Sequence, residues 1–126
     1  MNAITALYEL AKVPGIQVHQ NILIVDDEPH FRQAYSQLLA GDQRSISEAS
    51  TGQEAITQLK KGNIDLVILD LRLPDISGLE IMEWMTAHRI ETSVIVFSAD
   101  KSINSAIHAL RHRAFDQGAH FGLHLG

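Results

Sequence analysis

Two stretches decide the fold of this chain: ILIVDDE at residues 22–28 and LVILD at residues 66–70. Each begins as a short apolar run without polar alternation, which predicts a strand covered on both faces, as in a parallel sheet. Each run leads into acidic residues, which would lie at the carboxyl edge of the sheet, where open α/β folds bind ligands. Asp26, Asp27 and Asp70 therefore predict an anionic site of the kind that holds Mg²⁺ through oxygen ligands.

The rest of the chain alternates strand and helix patterns around these two strands. This alternation, with its short connections, predicts right-handed crossovers and an α/β fold with a doubly wound parallel sheet. The predicted strands are 21–25, 45–49, 65–69 and 93–97, the second of them edge-like, and the predicted helices are 29–41, 51–62, about 78–89 and about 102–112.

Local signals fix where two of these helices begin. Pro29 suits a first helical turn, and Thr51 with Glu54 three positions later makes a capping-box pattern. In the helix from Pro29, a single apolar stripe is predicted to face the core. Its members are Phe31, Ala34, Tyr35, Leu38 and Leu39.

Composition and charge restrict the function classes. The chain has 126 residues, 45% of them hydrophobic and 20% charged, which is typical of one globular domain. Its net charge of −5, without a basic run, argues against direct nucleic acid binding. It contains no signal-peptide pattern, no apolar run of the roughly 18–20 residues that span a bilayer, and no cysteine. We therefore expect a cytoplasmic protein without membrane contact.

The two ends of the chain carry weaker patterns. Ile4, Leu7, Leu10 and Ala11 have helical spacing, so residues 1–20 are predicted to be an N-terminal helix (3–12) and a linker. Residues 21–126 are predicted to form the main domain, and its pattern degrades from about residue 114. A fifth strand is weakly signalled within 114–121, and no fifth helix is predicted.

The ordered set Asp26-Asp27, Asp70 with Pro74 and Gly78, and Ser98-Ala99 resembles the receiver domain of bacterial two-component response regulators, the chemotaxis-regulator type included. The resemblance runs from residue 21 to about residue 113. It implies a flavodoxin-like sheet of order 2-1-3-4-5, with the fifth strand and helix degraded or truncated here. It also implies that strands one and three flank the topological switch point.

The resemblance further implies a role for each site residue. Asp70 would accept a phosphoryl group from a histidine kinase or a phosphotransfer protein, and Ser98 would be the switch hydroxyl. Mg²⁺ would be bound by Asp26, Asp27, Asp70 and the backbone carbonyl of Arg72. The implied function is a phosphorylation-dependent signalling switch with slow self-dephosphorylation, not an enzyme acting on a metabolite.

The carboxyl end departs from the family pattern. Receivers carry a Lys-Pro pair at the end of strand five, whereas the usual spacing from Ser98 arrives here at His120 and Phe121. We therefore keep a second hypothesis, a receiver-fold binding module that no longer signals through phosphate. A third, a phosphatase of the haloacid dehalogenase type, is disfavoured because Arg72 stands where that family has an acid. The missing fifth helix would expose apolar surface, which predicts homodimerisation or domain swapping.

Overall fold

The computed structural model describes residues 19–97 and 121–123. Within them lie five strands and three helices, here numbered in chain order. The strands are β1 (Gln20–Val25), β2 (Arg44–Ala49), β3 (Leu66–Asp70), β4 (Ser93–Phe97) and β5 (Phe121–Leu123), and the helices are α1 (Pro29–Leu39), α2 (Gly52–Lys61) and α3 (Gly78–Ala87).

All five strands form one parallel sheet of order β2-β1-β3-β4-β5. The predicted doubly wound α/β fold and its strand order are confirmed, and β2 lies at an edge. β5 is only three residues long and begins at Phe121, so the weak signal within 114–121 pointed a few residues too early.

The sheet separates two hydrophobic clusters. One contains residues of α2 and α3, such as Leu59 and Met82, and the other contains Leu39 of α1. Strands β1 and β3 contribute buried residues to both clusters, as expected for strands covered on both faces. Their eight apolar residues from 22–25 and 66–69 are at most 2% exposed.

The helix beginnings follow the predicted signals, whereas α1 and α3 each end two residues earlier than predicted. Pro29 opens α1, and the hydroxyl of Thr51 accepts a hydrogen bond from the backbone N–H of Glu54. In a capping box the Glu54 carboxylate would accept a hydrogen bond from the backbone N–H of the N-cap residue, Thr51. Here it accepts instead from the backbone N–H of the preceding residue, Ser50, at 2.7 Å. α3 ends at Ala87, two residues earlier than predicted, because His88 and Arg89 form a turn in which Arg89 has a φ of 52°.

One prediction about α1 is wrong in part. Of the expected apolar stripe, Leu39 is buried and Tyr35 half-buried, but Phe31, Ala34 and Leu38 are exposed. The sequence pattern showed which residues share a side of the helix but not how much of that side is covered. The predicted helices 3–12 and 102–112 lie outside the described residues.

Candidate metal centre

The three predicted acids meet at the carboxyl edge of the sheet. β1 ends at Val25, immediately before Asp26 and Asp27, and β3 ends at Asp70 itself. Each of these three carboxyl groups offers an oxygen, and the three oxygens lie within 4.8 Å of one another. β1 and β3 are hydrogen-bonded neighbours in the sheet, so adjacent strand ends bring together residues more than forty positions apart.

Strand β3 is shifted by one residue from its predicted position. It begins at Leu66 rather than Asp65, and Asp70 is its last residue, paired with Phe97 of β4. Asp65 instead accepts a hydrogen bond from the backbone N–H of Asn21 at 2.8 Å. Asp70 is therefore held by the sheet itself, which gives its backbone a fixed position.

Two contacts fix Asp26. Its Oδ1 accepts a hydrogen bond from the backbone N–H of Glu28 at 2.9 Å, and its backbone carbonyl accepts from the Nη1 of Arg32 at 2.7 Å. Arg32 also donates from its Nε to Glu48 on β2 at 3.2 Å. Sequence patterns gave no sign of this Arg32 contact, because it depends on α1 folding back over β1 and β2.

The electrostatics of the cluster favour a cation. Burial raises the pKa of Asp26, and the negative charges of Asp70 and Asp27 raise it further, against the lowering effects of the Glu28 backbone N–H and Arg32. Burial likewise raises the pKa of Asp70, with the charge of Asp27 adding to it and the backbone N–H of Arg72 opposing it. Carboxylates that are this close destabilise one another when ionised, and a divalent ion relieves that repulsion.

The donor set fits Mg²⁺. All three side chains supply oxygen, and Mg²⁺ takes oxygen ligands at about 2.0–2.1 Å, so ligands of one ion lie up to roughly 4.2 Å apart. The observed spread of 4.8 Å needs only small side-chain adjustments to reach that range. Asp27 is exposed and Asp70 half-buried, which leaves the site open to water for the remaining coordination positions.

The loop after Asp70 is held against the start of two helices. The backbone N–H of Arg72 donates to Oδ1 of Asp70 at 3.0 Å and so orients this carboxylate. Gly78 donates from its N–H to the carbonyl of Leu71 at 3.1 Å, and a Cβ there would lie 2.9 Å from the backbone oxygen of Asp70. Only a residue without a side chain lets α3 begin this close to the end of β3.

Asp75 joins the same loop to α2. Its two carboxylate oxygens accept from the backbone N–H groups of Gly52 and Gln53, at 2.8 and 2.9 Å. These hydrogen bonds lower the pKa of Asp75. The sequence missed this role, because a cap supplied from more than twenty residues away leaves no local signature.

Two predicted site features are not located by this geometry. Ser98 lies outside the described residues, and the role of the Arg72 carbonyl as a metal ligand stays a prediction.

Comparison with known proteins settles the family. A family model described as the response regulator receiver domain matches residues 22–117. The chain belongs to this family. Receiver domains of response regulators are signalling modules, so the expected link to two-component signalling is confirmed at that level.

Similar proteins agree with the assignment. The response regulator protein PilR of Pseudomonas aeruginosa is 36% identical over 97 residues, which are 77% of this chain and 22% of PilR. The nitrate/nitrite response regulator NarL of Escherichia coli K12 is 32% identical over 95 residues, which are 74% of this chain and 44% of NarL. The receiver thus spans less than half the length of these relatives.

Solved structures match the receiver over most of its length. The response regulator TrrA of Thermotoga maritima, in complex with Mg²⁺ and BeF, has a TM-score of 0.66 and 30% identity, covering 83% of this chain and 86% of TrrA. The chemotaxis protein CheY4 of Vibrio cholerae, at 21% identity and a TM-score of 0.66, shares the fold, with 86% of this chain and 87% of CheY4 covered. No helix within 19–97 has the length and apolarity to cross a bilayer.

Proposed function

We propose that this receiver takes up a phosphoryl group on Asp70 in a Mg²⁺-dependent reaction, with a histidine kinase or a phosphotransfer protein as the donor. The observation that carries the proposal is the convergence of three carboxyl groups, within 4.8 Å, at the ends of β1 and β3. The likeness to TrrA, whose structure is a complex with Mg²⁺ and BeF, supports the same assignment.

The proposed metal ligands are the carboxylates of Asp26, Asp27 and Asp70 and the backbone carbonyl of Arg72. When bound, Mg²⁺ supplies the positive charge that lets an anionic phosphoryl group approach a carboxylate. The chain fixes two of these ligands in advance: Glu28 orients Asp26 through its backbone N–H, and the strand pairing of β3 holds Asp70.

Asp70 acts as the nucleophile. One of its carboxylate oxygens forms a bond to phosphorus while the bond between phosphorus and the donor nitrogen breaks, and that electron pair leaves with the donor imidazole. The product is an acyl phosphate on Asp70. The backbone N–H of Arg72, 3.0 Å from Oδ1, keeps the carboxylate in one orientation during this step.

The signal is a shift between two packings of the domain. In this proposal the hydroxyl of Ser98 donates a hydrogen bond to the new phosphoryl oxygen and draws the segment after β4 toward the site. The shift can be no larger than the difference in contacts that the phosphoryl group makes in the two states. In this proposal the domain works as a switch between these two packings.

The test uses a small phosphodonor. The protein is incubated with acetyl phosphate and Mg²⁺, and its intact mass is measured. We expect the mass to increase by one phosphoryl group in the unsubstituted protein and in Asp42→Asn, an exposed control. Asp70→Asn and omission of Mg²⁺ should both abolish the increase. Labelling that persists in Asp70→Asn would place the acceptor elsewhere.

A second candidate function rests on the carboxyl end of the sequence. No lysine follows Lys101, so the cation that receivers place beside the phosphoryl group is missing from the end of strand five. The alternative is a binding module of receiver fold that no longer signals through phosphate. This alternative predicts no mass increase with acetyl phosphate, and the same experiment separates the two.

A further inference from the structure

The sheet face that carries α1 is only partly covered by the described helices. A row of isoleucines crosses this face, with Ile24 of β1 beside Ile68 of β3 and Ile68 beside Ile95 of β4. All three are at most 2% exposed, so this face belongs to the core as far as β4. Yet α1 is the only described helix that contributes to its cluster, and it lies mainly against β1 and β2.

One flank of α1 points toward the β3–β4 half of this face. Arg32 pairs with Glu48 on β2, so the side of α1 that carries Arg32 is turned toward β2. At about 100° per residue, Phe31 and Leu38 lie roughly 100–120° around the helix from Arg32, with the half-buried Tyr35 in between. Phe31 is 56% exposed and Leu38 is 69% exposed. This exposed flank borders the buried row at Ile68 and Ile95, over which no described helix is centred, and we call the two together the apolar corner.

The handedness of crossovers in parallel sheets indicates which face a connection from β4 to β5 is expected to take. α2 joins β2 to β3 and α3 joins β3 to β4, and both pack in the opposite cluster. β5 lies beyond β4 in the same direction across the sheet. The right-handed crossover rule therefore favours the face of α2 and α3 for a connection from β4 to β5, which makes another part of the chain the better candidate for the apolar corner.

We propose that residues 3–12 form a helix that docks in the apolar corner, alongside α1. The segment has the required pattern: Ile4, Leu7 and Leu10 share one side of a helix, and Thr5 and Glu9 lie on the opposite side. Docking would bury the apolar side of this segment together with Phe31 and Leu38, which removes exposed apolar surface from both partners.

The connection to β1 is long enough for this placement. β1 begins at Gln20, at the amino edge of the sheet, and residues 13–19 span up to about 23–25 Å when extended. β4 lies two strand spacings from β1, which is about 10 Å. A ten-residue helix is about 15 Å long and matches α1 in length. The helix would end near the last turn of α1, which places Leu10 close to Leu38.

Cross-linking in the full-length chain tests the proposal. The sequence has no cysteine, so two introduced cysteines are the only thiols present. The test pair is Leu10→Cys with Leu38→Cys, treated with a short thiol-to-thiol reagent. The control pair is Leu10→Cys with Lys60→Cys, because Lys60 is exposed in the last turn of α2, at the same sheet edge but on the opposite face.

If the helix docks, the test pair should form cross-linked monomer at least about tenfold faster than the control pair, because docking raises the effective concentration of one thiol near the other. Adding Leu7→Asp should lower that rate to the control value, whereas Thr5→Asp, on the polar side, should leave it unchanged. Equal rates for the test and control pairs would overturn the proposal. Cross-linked dimer in place of monomer would also overturn it, and would show that a second copy occupies the corner.

Discussion

Replacing Gly78 with alanine tests how tightly α3 is joined to the end of β3. A Cβ at this position would lie 2.7 Å from the Cδ2 of Leu71, 2.9 Å from its Cα and 2.9 Å from the backbone oxygen of Asp70. Two of these three neighbours are backbone atoms, so a side-chain rotation cannot relieve the overlap. Either α3 must move away from β3, or the strand end carrying Asp70 must shift.

The magnitude follows from two opposing effects. Overpacking of a well-packed site costs about 1–3 kcal/mol. Alanine favours a helix over glycine by up to about 1 kcal/mol, and less at the first helical position. We therefore expect Gly78→Ala to lower the free energy of unfolding by about 1–2 kcal/mol, and to slow the labelling of Asp70 by acetyl phosphate.

Gly41→Ala is the matched control. A Cβ at Gly41 would meet no heavy atom within 4 Å, and its φ lies outside the left-handed region. There the substitution should leave stability unchanged or raise it by about 0.4–1 kcal/mol, because alanine restricts the unfolded chain. The assay is urea denaturation followed by circular dichroism. The reasoning would be refuted if Gly78→Ala were as stable as the unsubstituted protein, or if both substitutions destabilised it equally.

Two further predictions concern charges around the site. Because burial and neighbouring charges raise the pKa of Asp70, its ionisation costs stability once the pH rises above its unfolded pKa. Metal-free Asp70→Asn should therefore be more stable than the unsubstituted protein at pH 7, with a difference that shrinks in acid. Mg²⁺ should stabilise only the unsubstituted protein, and an equal effect on both would contradict the metal assignment. Asp75→Ala should speed amide hydrogen exchange in the first turn of α2, whereas the exposed control Asp42→Ala should not. Since its backbone hydrogen bonds lower the pKa of Asp75, this contribution is present above the unfolded pKa and is lost as the pH falls through the folded pKa. Unchanged exchange in Asp75→Ala would show that the cap is dispensable.

Much of the candidate site could be predicted from local patterns. The buried strands β1 and β3 are short apolar runs, and in a parallel sheet their carboxyl ends lie at one edge. These patterns are enough to predict that Asp26, Asp27 and Asp70 lie close together. Roles such as phosphoacceptor came from the family resemblance, since spacing alone does not distinguish a metal ligand from a nucleophile.

Contacts between distant segments were beyond the reach of those patterns. The Asp75 cap on α2 and the Arg32 contact with the Asp26 carbonyl join residues on different elements, so no local signature marks them. The one-residue shift of β3 has a similar cause, because the strand boundary is set by pairing with β1 and β4 rather than by hydropathy.

The sequence by itself determined the alternation of strands and helices, the buried strands and the identity of the acidic residues, because each depends on neighbours along the chain. Only the tertiary structure decided which side of α1 is covered. Phe31 and Leu38 share the apolar stripe with Leu39, yet Leu39 alone is buried, because α1 lies mainly over β1 and β2. Periodicity shows which residues share a side of a helix, but the extent of covered surface depends on where the other elements pack.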